Sequence, residues 1–146
     1  EVWREAVQPI LYTRPLPEDI PMIFKARSDG WLKLRDVEAA DALALRDELL
    51  AKGLAVGESN SIALAKELNT IHLANDEPAI LAARELGIET RWFTEILHDA
   101  LKAGHIKSVE DYTNLLNVCI AKGLYVSRKA REEAIHIANE IVSKSQ

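Results

Sequence analysis

The sequence predicts an α/β fold: a parallel sheet flanked by helices, with a C-terminal helical extension. Three observations predict it. Helical and strand patterns alternate through the middle of the chain, an order that right-handed crossovers turn into a parallel sheet. Glycine, proline or helix-capping residues bound each short strand pattern. Three helical patterns in succession then close the chain.

Residues 2–8 read as a helix with Val2, Trp3, Ala6 and Val7 apolar, followed by Pro9. Pro15, Pro17 and Pro21 break the next stretch into an irregular loop. After Asp29-Gly30, the run Trp31-Leu32-Lys33-Leu34-Arg35 reads as a short strand. Asp36 is placed to cap a helix over 37–52, with Ala40, Leu43, Leu45, Leu49 and Leu50 apolar and Gly53 ending it. An Ala- and Leu-rich helix follows over 57–68, then a strand over 70–74. Asn75 or Asp76 caps a helix over 77–86, with Pro78 near its start and Gly87 at its close. The next strand covers 88–92. Thr94 caps a helix to Ala103, Ser108 with Asp111 resembles a capping box for a helix to Lys122, and Ser127 caps the last helix. That helix carries an apolar stripe of Ile135, Ile137, Ala138, Ile141 and Val142, expected to pack on the core. No repeat or low-complexity segment interrupts the pattern. The proline-rich loop at 15–21 is the nearest candidate for a boundary, but the segment before it is too small to fold alone.

Composition bounds the function. A chain of 146 residues suits one domain with a sizeable core. Hydrophobic residues make up 48% and mean hydropathy is -0.09, the balance of a soluble globular protein. No apolar run approaches the roughly 20 residues of a membrane span, and the first residues lack the pattern of a secretory signal. Cys119 is the only cysteine, which excludes an internal disulfide and a multi-cysteine zinc site and suits a reducing cytoplasm. Its expected role is a small apolar group in the core. A net charge of -5 argues against a passive nucleic-acid coat. It is compatible with a nuclease, because a metal-binding acid cluster itself adds negative charge. The chain starts at Glu1 and its only methionine is Met22, so residues are expected before the first.

Two carboxylates stand out by position. The helix from Gly57 spans about 16 Å, and the strand ending near Ala74 spans about the same. Running one way and then back, they bring Glu58, in the first helical turn, level with Asp76, just past the strand. The carboxyl end of a parallel sheet is where sites form. Glu5 approaches the same rim if its helix follows a strand. Each acid also has an ordinary explanation: a favourable helix dipole for Glu58, a cap for Asp76, a solvated face for Glu5. Together they offer hard oxygen ligands of the kind Mg²⁺ and Mn²⁺ take.

The run Gly57-Glu58-Ser59-Asn60-Ser61-Ile62-Ala63-Leu64-Ala65, then Asn75-Asp76-Glu77, then Ala82-Ala83-Arg84-Glu85-Leu86-Gly87-Ile88, resembles PIN-domain proteins. The branch it resembles is found in prokaryotic toxin–antitoxin loci and is related to VapC-type toxins. The opening Val2-Trp3-Arg4-Glu5 looks like the branch's helix after its second strand, and Gly104-His105-Ile106 and Gly123-Leu124-Tyr125-Val126-Ser127 look like its tail. The resemblance implies a PIN-like fold and a Mg²⁺- or Mn²⁺-dependent ribonuclease. Glu5, Glu58 and Asp76 are its implied catalytic and metal-holding acids, RNA its substrate, and an antitoxin protein and a second copy of the chain its implied partners. It also implies one PIN-like domain over 1–146 that lacks an N-terminal strand and helices, and with them the family's first aspartate. The alternative is a non-catalytic PIN-like module that binds an antitoxin or itself.

Other constellations are weaker. His72, His98, His105 and His136 form no pair at metal-ligand spacing. His98-Asp99 is an isolated dipeptide, no glycine-rich phosphate loop appears, and no serine sits in a nucleophile elbow. Trp3, Trp31 and Trp92 read as core or interface anchors ahead of base-stacking platforms. Lys66, Arg84 and Arg91 are within the repertoire of phosphate contacts, with a solvated surface as their ordinary reading.

Overall fold

A computed structural model of the chain describes residues 20–144. The helix expected over 2–8, with Trp3 and Glu5, lies outside the described residues. The chain divides into two compact units, residues 1–70 and 71–146.

In the first unit, α1 covers Ile20–Ser28, α2 covers Ala40–Ala51 and α3 covers Val56–Leu68. Pro21 does not prevent α1. It takes the second helical position, where the missing N–H has no intrahelical partner to lose. The stretch Trp31–Arg35 is irregular and takes no strand partner among the described residues, against the strand its alternation predicted. The Leu32 N–H donates instead to the Ala26 carbonyl at 3.1 Å, which ties the stretch to the end of α1.

Asp36 does not cap α2. The N-cap position falls on Ala39, whose side chain cannot accept. The Glu67 carboxylate supplies the acceptor, its Oε2 taking the N–H groups of Glu38 and Ala39 at 3.0 Å each. Gly53, at φ +94°, turns the chain between α2 and α3. The two helices pack together, with Ala42 and Leu49 buried on one and Ile62, Ala63 and Ala65 on the other. Asn69 ends α3 in the left-handed region at φ 47°, a conformation Asn tolerates.

The second unit is a β–α–β arrangement followed by three helices. Strand β1 (His72–Ala74) pairs in parallel with β2 (Thr90–Trp92), in the register His72 to Thr90, Leu73 to Arg91 and Ala74 to Trp92. Helix α4 (Glu77–Glu85) connects them and packs on both, burying Ala79, Ile80 and Ala83. The predicted parallel sheet is thus present, with strands of three residues where five were expected. Helix α5 (Phe93–Lys102) follows β2 directly. Thr94 is not its cap; Glu95 reaches back to the Trp92 N–H at 2.7 Å.

Helices α6 (Val109–Ala121) and α7 (Arg128–Lys144) complete the unit. Ser108 caps α6 through the Asp111 N–H, and Ser127 accepts from the Ala130 N–H at the start of α7, both as predicted. Leu97, Leu101, Ile106, Tyr112, Leu116, Ala134 and Ala138 form the core of this unit. Each large apolar side chain among them contributes about 1.5–3 kcal/mol by its burial. Ile135, Ile141 and Val142 pack against that core, while Ile137 remains exposed. Cys119 is half-buried on α6. Among the described residues no helix is long and apolar enough to cross a membrane.

Candidate functional site

Asp76 ends the turn after β1 and is the N-cap of α4. Its backbone is extended, at φ -109° and ψ 122°, and its Oδ2 accepts the Ala79 N–H at 3.1 Å. A short polar side chain in extended backbone, with Pro78 two residues on, is what starts a helix here. The bond uses one carboxylate oxygen. The other, Oδ1, takes no hydrogen bond among the described residues, and the side chain is exposed.

Glu58, in the first unit, repeats the arrangement from inside a helix. It is the third residue of α3, and its Oε2 accepts the Ala55 N–H at 3.0 Å. This is half of a capping box, because Ala55 has no side-chain acceptor to return the bond. Oε1 of the half-buried Glu58 is likewise uncommitted among the described residues. The adjoining Ser59 is fully buried, and its hydroxyl meets no hydrogen-bond partner among the described residues.

Glu5, the third acid of the expected set, lies outside the described residues. Glu58 and Asp76 belong to different units, and each has its geometry within its own. Among the described residues no group of three or more His, Cys, Asp or Glu gathers where one ion could be held. That range contains two of the three expected acids. The uncommitted oxygens of Glu58 and Asp76 are hard donors, the chemistry Mg²⁺ and Mn²⁺ take and soft-metal sites do not use.

Asp76 lines a cleft of about 960 Å³ within the second unit. Its apolar floor comes from α7, where Ala130, Ala134, Ile137 and Ile141 follow one another at helical spacing, with Trp92 and Val126 beside them. Its charged lining is unbalanced: Asp76, Glu77, Glu95, Asp99, Glu133 and Glu140 against Arg91, Lys102 and Lys144. The cations are also engaged. Arg91 reaches Glu89 at 3.3 Å and Asp99 at 2.9 Å, Lys102 reaches Asp99 at 3.3 Å, and Lys144 reaches Glu140 at 3.2 Å. The hydrogen bond that Arg91 donates to Glu89, then the charge of Asp99, raises the Arg91 pKa above its ordinary value. Arg91 is therefore a fixed charge within an ion-pair network, and a phosphate would have to displace carboxylates to reach it. An anion meets net repulsion in this cleft unless a cation accompanies it.

His98 stands at the wall of the cleft, with its ring buried. Its Nε2 lies 2.9 Å from the Ala134 carbonyl and 2.9 Å from the Tyr112 hydroxyl, and the two rings stack at an interplanar angle of 3°. A carbonyl only accepts, so Nε2 carries the proton and the tyrosine oxygen shares it. Asp99 turns away to Arg91, so the His98-Asp99 dipeptide holds no joint site. His72, buried on β1, has its pKa lowered by that burial.

Sequence reasoning located Glu58 and Asp76 through their placement at the start of a helix and the end of a strand, and through the PIN-like resemblance, while Asp76 also reads as a cap. It missed Glu95, because Trp92 at the N-cap carries no side-chain acceptor to mark a capping box, and it missed the cleft, which arises from packing between α5 and α7. Trp31, read as a core or interface anchor, is 74% exposed.

A family model described as a PIN domain matches residues 1–140. No curated protein and no solved structure matches the chain.

Proposed function

The chain belongs to the PIN-domain family, a nuclease-type family whose members generally use divalent metal ions, and from that premise we propose that it is a divalent-metal-dependent ribonuclease of PIN type. In this reading Glu5, Glu58 and Asp76 are the metal-holding acids, for Mg²⁺ or Mn²⁺, and the protein is the cytoplasmic toxin component of a toxin–antitoxin pair. The observation that carries the reading is the free oxygen on each of two tethered carboxylates. Among the described residues, Asp76 keeps Oδ1 available while Oδ2 holds Ala79, and Glu58 keeps Oε1 available while Oε2 holds Ala55. When bound, a divalent ion would supply positive charge against the scissile phosphate and polarise water toward attack.

The chain's own residues prepare for that role. The caps fix the direction in which each carboxylate presents its free oxygen. The acidic lining around Asp76 disfavours phosphate in the absence of a cation, which couples substrate entry to the metal.

The test is titration of the complete chain with Mn²⁺ in the presence of RNA, beside Glu58→Gln. The glutamine carbonyl still accepts from Ala55, so folding is retained while the anionic ligand is lost. Cleavage that requires Mn²⁺ and is lost in Glu58→Gln is expected. Absence of metal-dependent cleavage, or equal cleavage by the variant, would sink the proposal.

A second reading is a non-catalytic module that binds an antitoxin or a second copy of itself. The apolar floor under Ile137 and Ile141 favours it, because metal chemistry has no use for such a surface. A chain that cleaves no RNA under any divalent ion and elutes as a dimer fits this reading instead.

A further inference from the structure

The first unit carries a surface opposite in character to the acidic cleft. Residues 24–35 hold four cations, Lys25, Arg27, Lys33 and Arg35, against one acid, Asp29, in a chain whose net charge is -5. All four cations are exposed. Lys25 pairs with Asp29 at 2.5 Å, whereas Lys33 and Arg35 carry no ion pair among the described residues. Between the cations stand two exposed aromatic side chains, Trp31 at 74% and Phe24 at 46%.

Local structure explains their exposure. Ala26 is buried on α1. At about 100° per residue, Phe24 falls between Arg27 and Lys25 on the arc away from it. The chain then turns through Asp29 and Gly30, the latter at φ +81° with its N–H on the Arg27 carbonyl at 3.1 Å. The Leu32–Ala26 bond fixes the exit, so the following residues run on from the end of the helix. Residues 33–38 belong to neither helix nor strand, and Lys33, Leu34 and Arg35 are all exposed.

We propose that this stretch is a binding surface for single-stranded RNA. Trp31 supplies a face for unstacked bases, and Lys25, Lys33 and Arg35 meet the phosphates. Exposed aromatic faces interleaved with cations are the chemistry that recognises single strands, since every base has a face to stack and every nucleotide a charge to neutralise. A duplex hides its base faces and suits the surface less. An anionic membrane suits it less too, because interfacial helices segregate cations from a continuous apolar face, whereas on α1 they alternate around one arc. The choice of RNA over DNA rests on the ribonuclease reading; the surface itself stands on its own charge and exposure.

The test is fluorescence anisotropy of a labelled oligouridylate of about 12 nucleotides with the complete chain in EDTA, where no cleavage intervenes. Affinity is expected to fall about 20-fold between roughly 50 and 200 mM salt, as three neutralised phosphates require. Trp31→Ala is expected to weaken binding about tenfold. Lys33→Glu with Arg35→Glu is expected to weaken it further and to flatten the salt dependence by about 1.4 in logarithmic slope. Thermal unfolding should stay unchanged in both, since the altered side chains are exposed. Binding equal to the parent in either variant overturns the inference. So does equal affinity for duplex RNA of the same length, or binding to phosphatidylserine vesicles that Trp31→Ala abolishes while RNA binding persists. If Glu58→Gln cleaves like the parent, the metal assignment fails and the EDTA result stands; if EDTA binding ignores Trp31, this surface fails and the cleavage result stands.

Discussion

The buried Nε2 of His98 lies 2.9 Å from the Tyr112 hydroxyl, and the same nitrogen meets the Ala134 carbonyl at 2.9 Å. One imidazole thereby joins three helices, α5, α6 and α7. Tyr112→Phe keeps the stacked ring and removes only the oxygen, so it should cost about 1 kcal/mol in urea unfolding. Leu116→Ala, in the same core, should cost about 2–5 kcal/mol because it leaves a cavity. A smaller loss for Leu116→Ala than for Tyr112→Phe would mean that polar bonding, and not packing, dominates this core.

Burial pushes the Tyr112 hydroxyl up to about 12. An unfolded tyrosine ionises near pH 10, so between about pH 10 and 12 the unfolded chain loses a proton that the folded chain keeps. Stability should fall with rising pH across that window. Absorbance of phenolate at alkaline pH should show one tyrosine ionising late, and Tyr112→Phe should remove that late step.

His72 behaves oppositely in pH. Its folded pKa lies below the ordinary 6.5, because burial opposes the charged ring. Below pH 6.5 the unfolded chain therefore takes up a proton that the folded chain resists, and stability declines as pH falls from 6.5 through the folded pKa. Chemical unfolding at neutral and at mildly acidic pH should show this decline, and His72→Gln should reduce it.

Asp76 separates two roles by substitution. Asp76→Asn keeps an oxygen for the Ala79 N–H and should unfold with the parent, while metal-dependent cleavage falls by more than about 100-fold. Asp76→Ala should lose cleavage and also about 0.5–2 kcal/mol of stability. Cleavage by Asp76→Asn at the parental rate would remove Asp76 from the metal set.

Glu67→Ala removes the acceptor of two N–H groups at the start of α2. It should cost about 0.5–2 kcal/mol, the cost of losing a helix cap, although residue 67 is remote in sequence from the helix it caps. Hydrogen exchange should rise first at Glu38 and Ala39.

What the sequence made legible was local. The β1–α4–β2 unit follows from strand patterns, from Asp76 before Pro78 and from Gly87 after the helix, all within one stretch of chain. Ser108 and Ser127 were legible for the same reason. Where a distant residue supplied the partner, local reasoning failed. Asp36 was the nearest capping residue for α2, but Glu67 holds that end. Pro21 read as a breaker because its position within a first turn depends on where the helix begins. Trp31 to Arg35 alternates as a strand does, yet no strand among the described residues pairs with it. Asp76 was visible as a cap and Glu58 as a first-turn acid, while the acidic cleft and the His98–Tyr112 contact exist only once α5, α6 and α7 pack.

The tethers on Glu58 and Asp76 carry a cost–benefit consequence for binding. A free carboxylate must surrender rotamer freedom when it coordinates an ion, and that loss subtracts from affinity. These two side chains have surrendered it during folding, so coordination finds them pre-ordered. The same tether makes side-chain length critical. Asp76→Glu and Glu58→Asp preserve charge but move the anchored oxygen by one methylene, and each should cost helix start and ion affinity together. Charge-conserving exchange at these positions is therefore expected to be less tolerated than the charge-neutral Asp76→Asn when stability is measured, and no better tolerated when ion binding is.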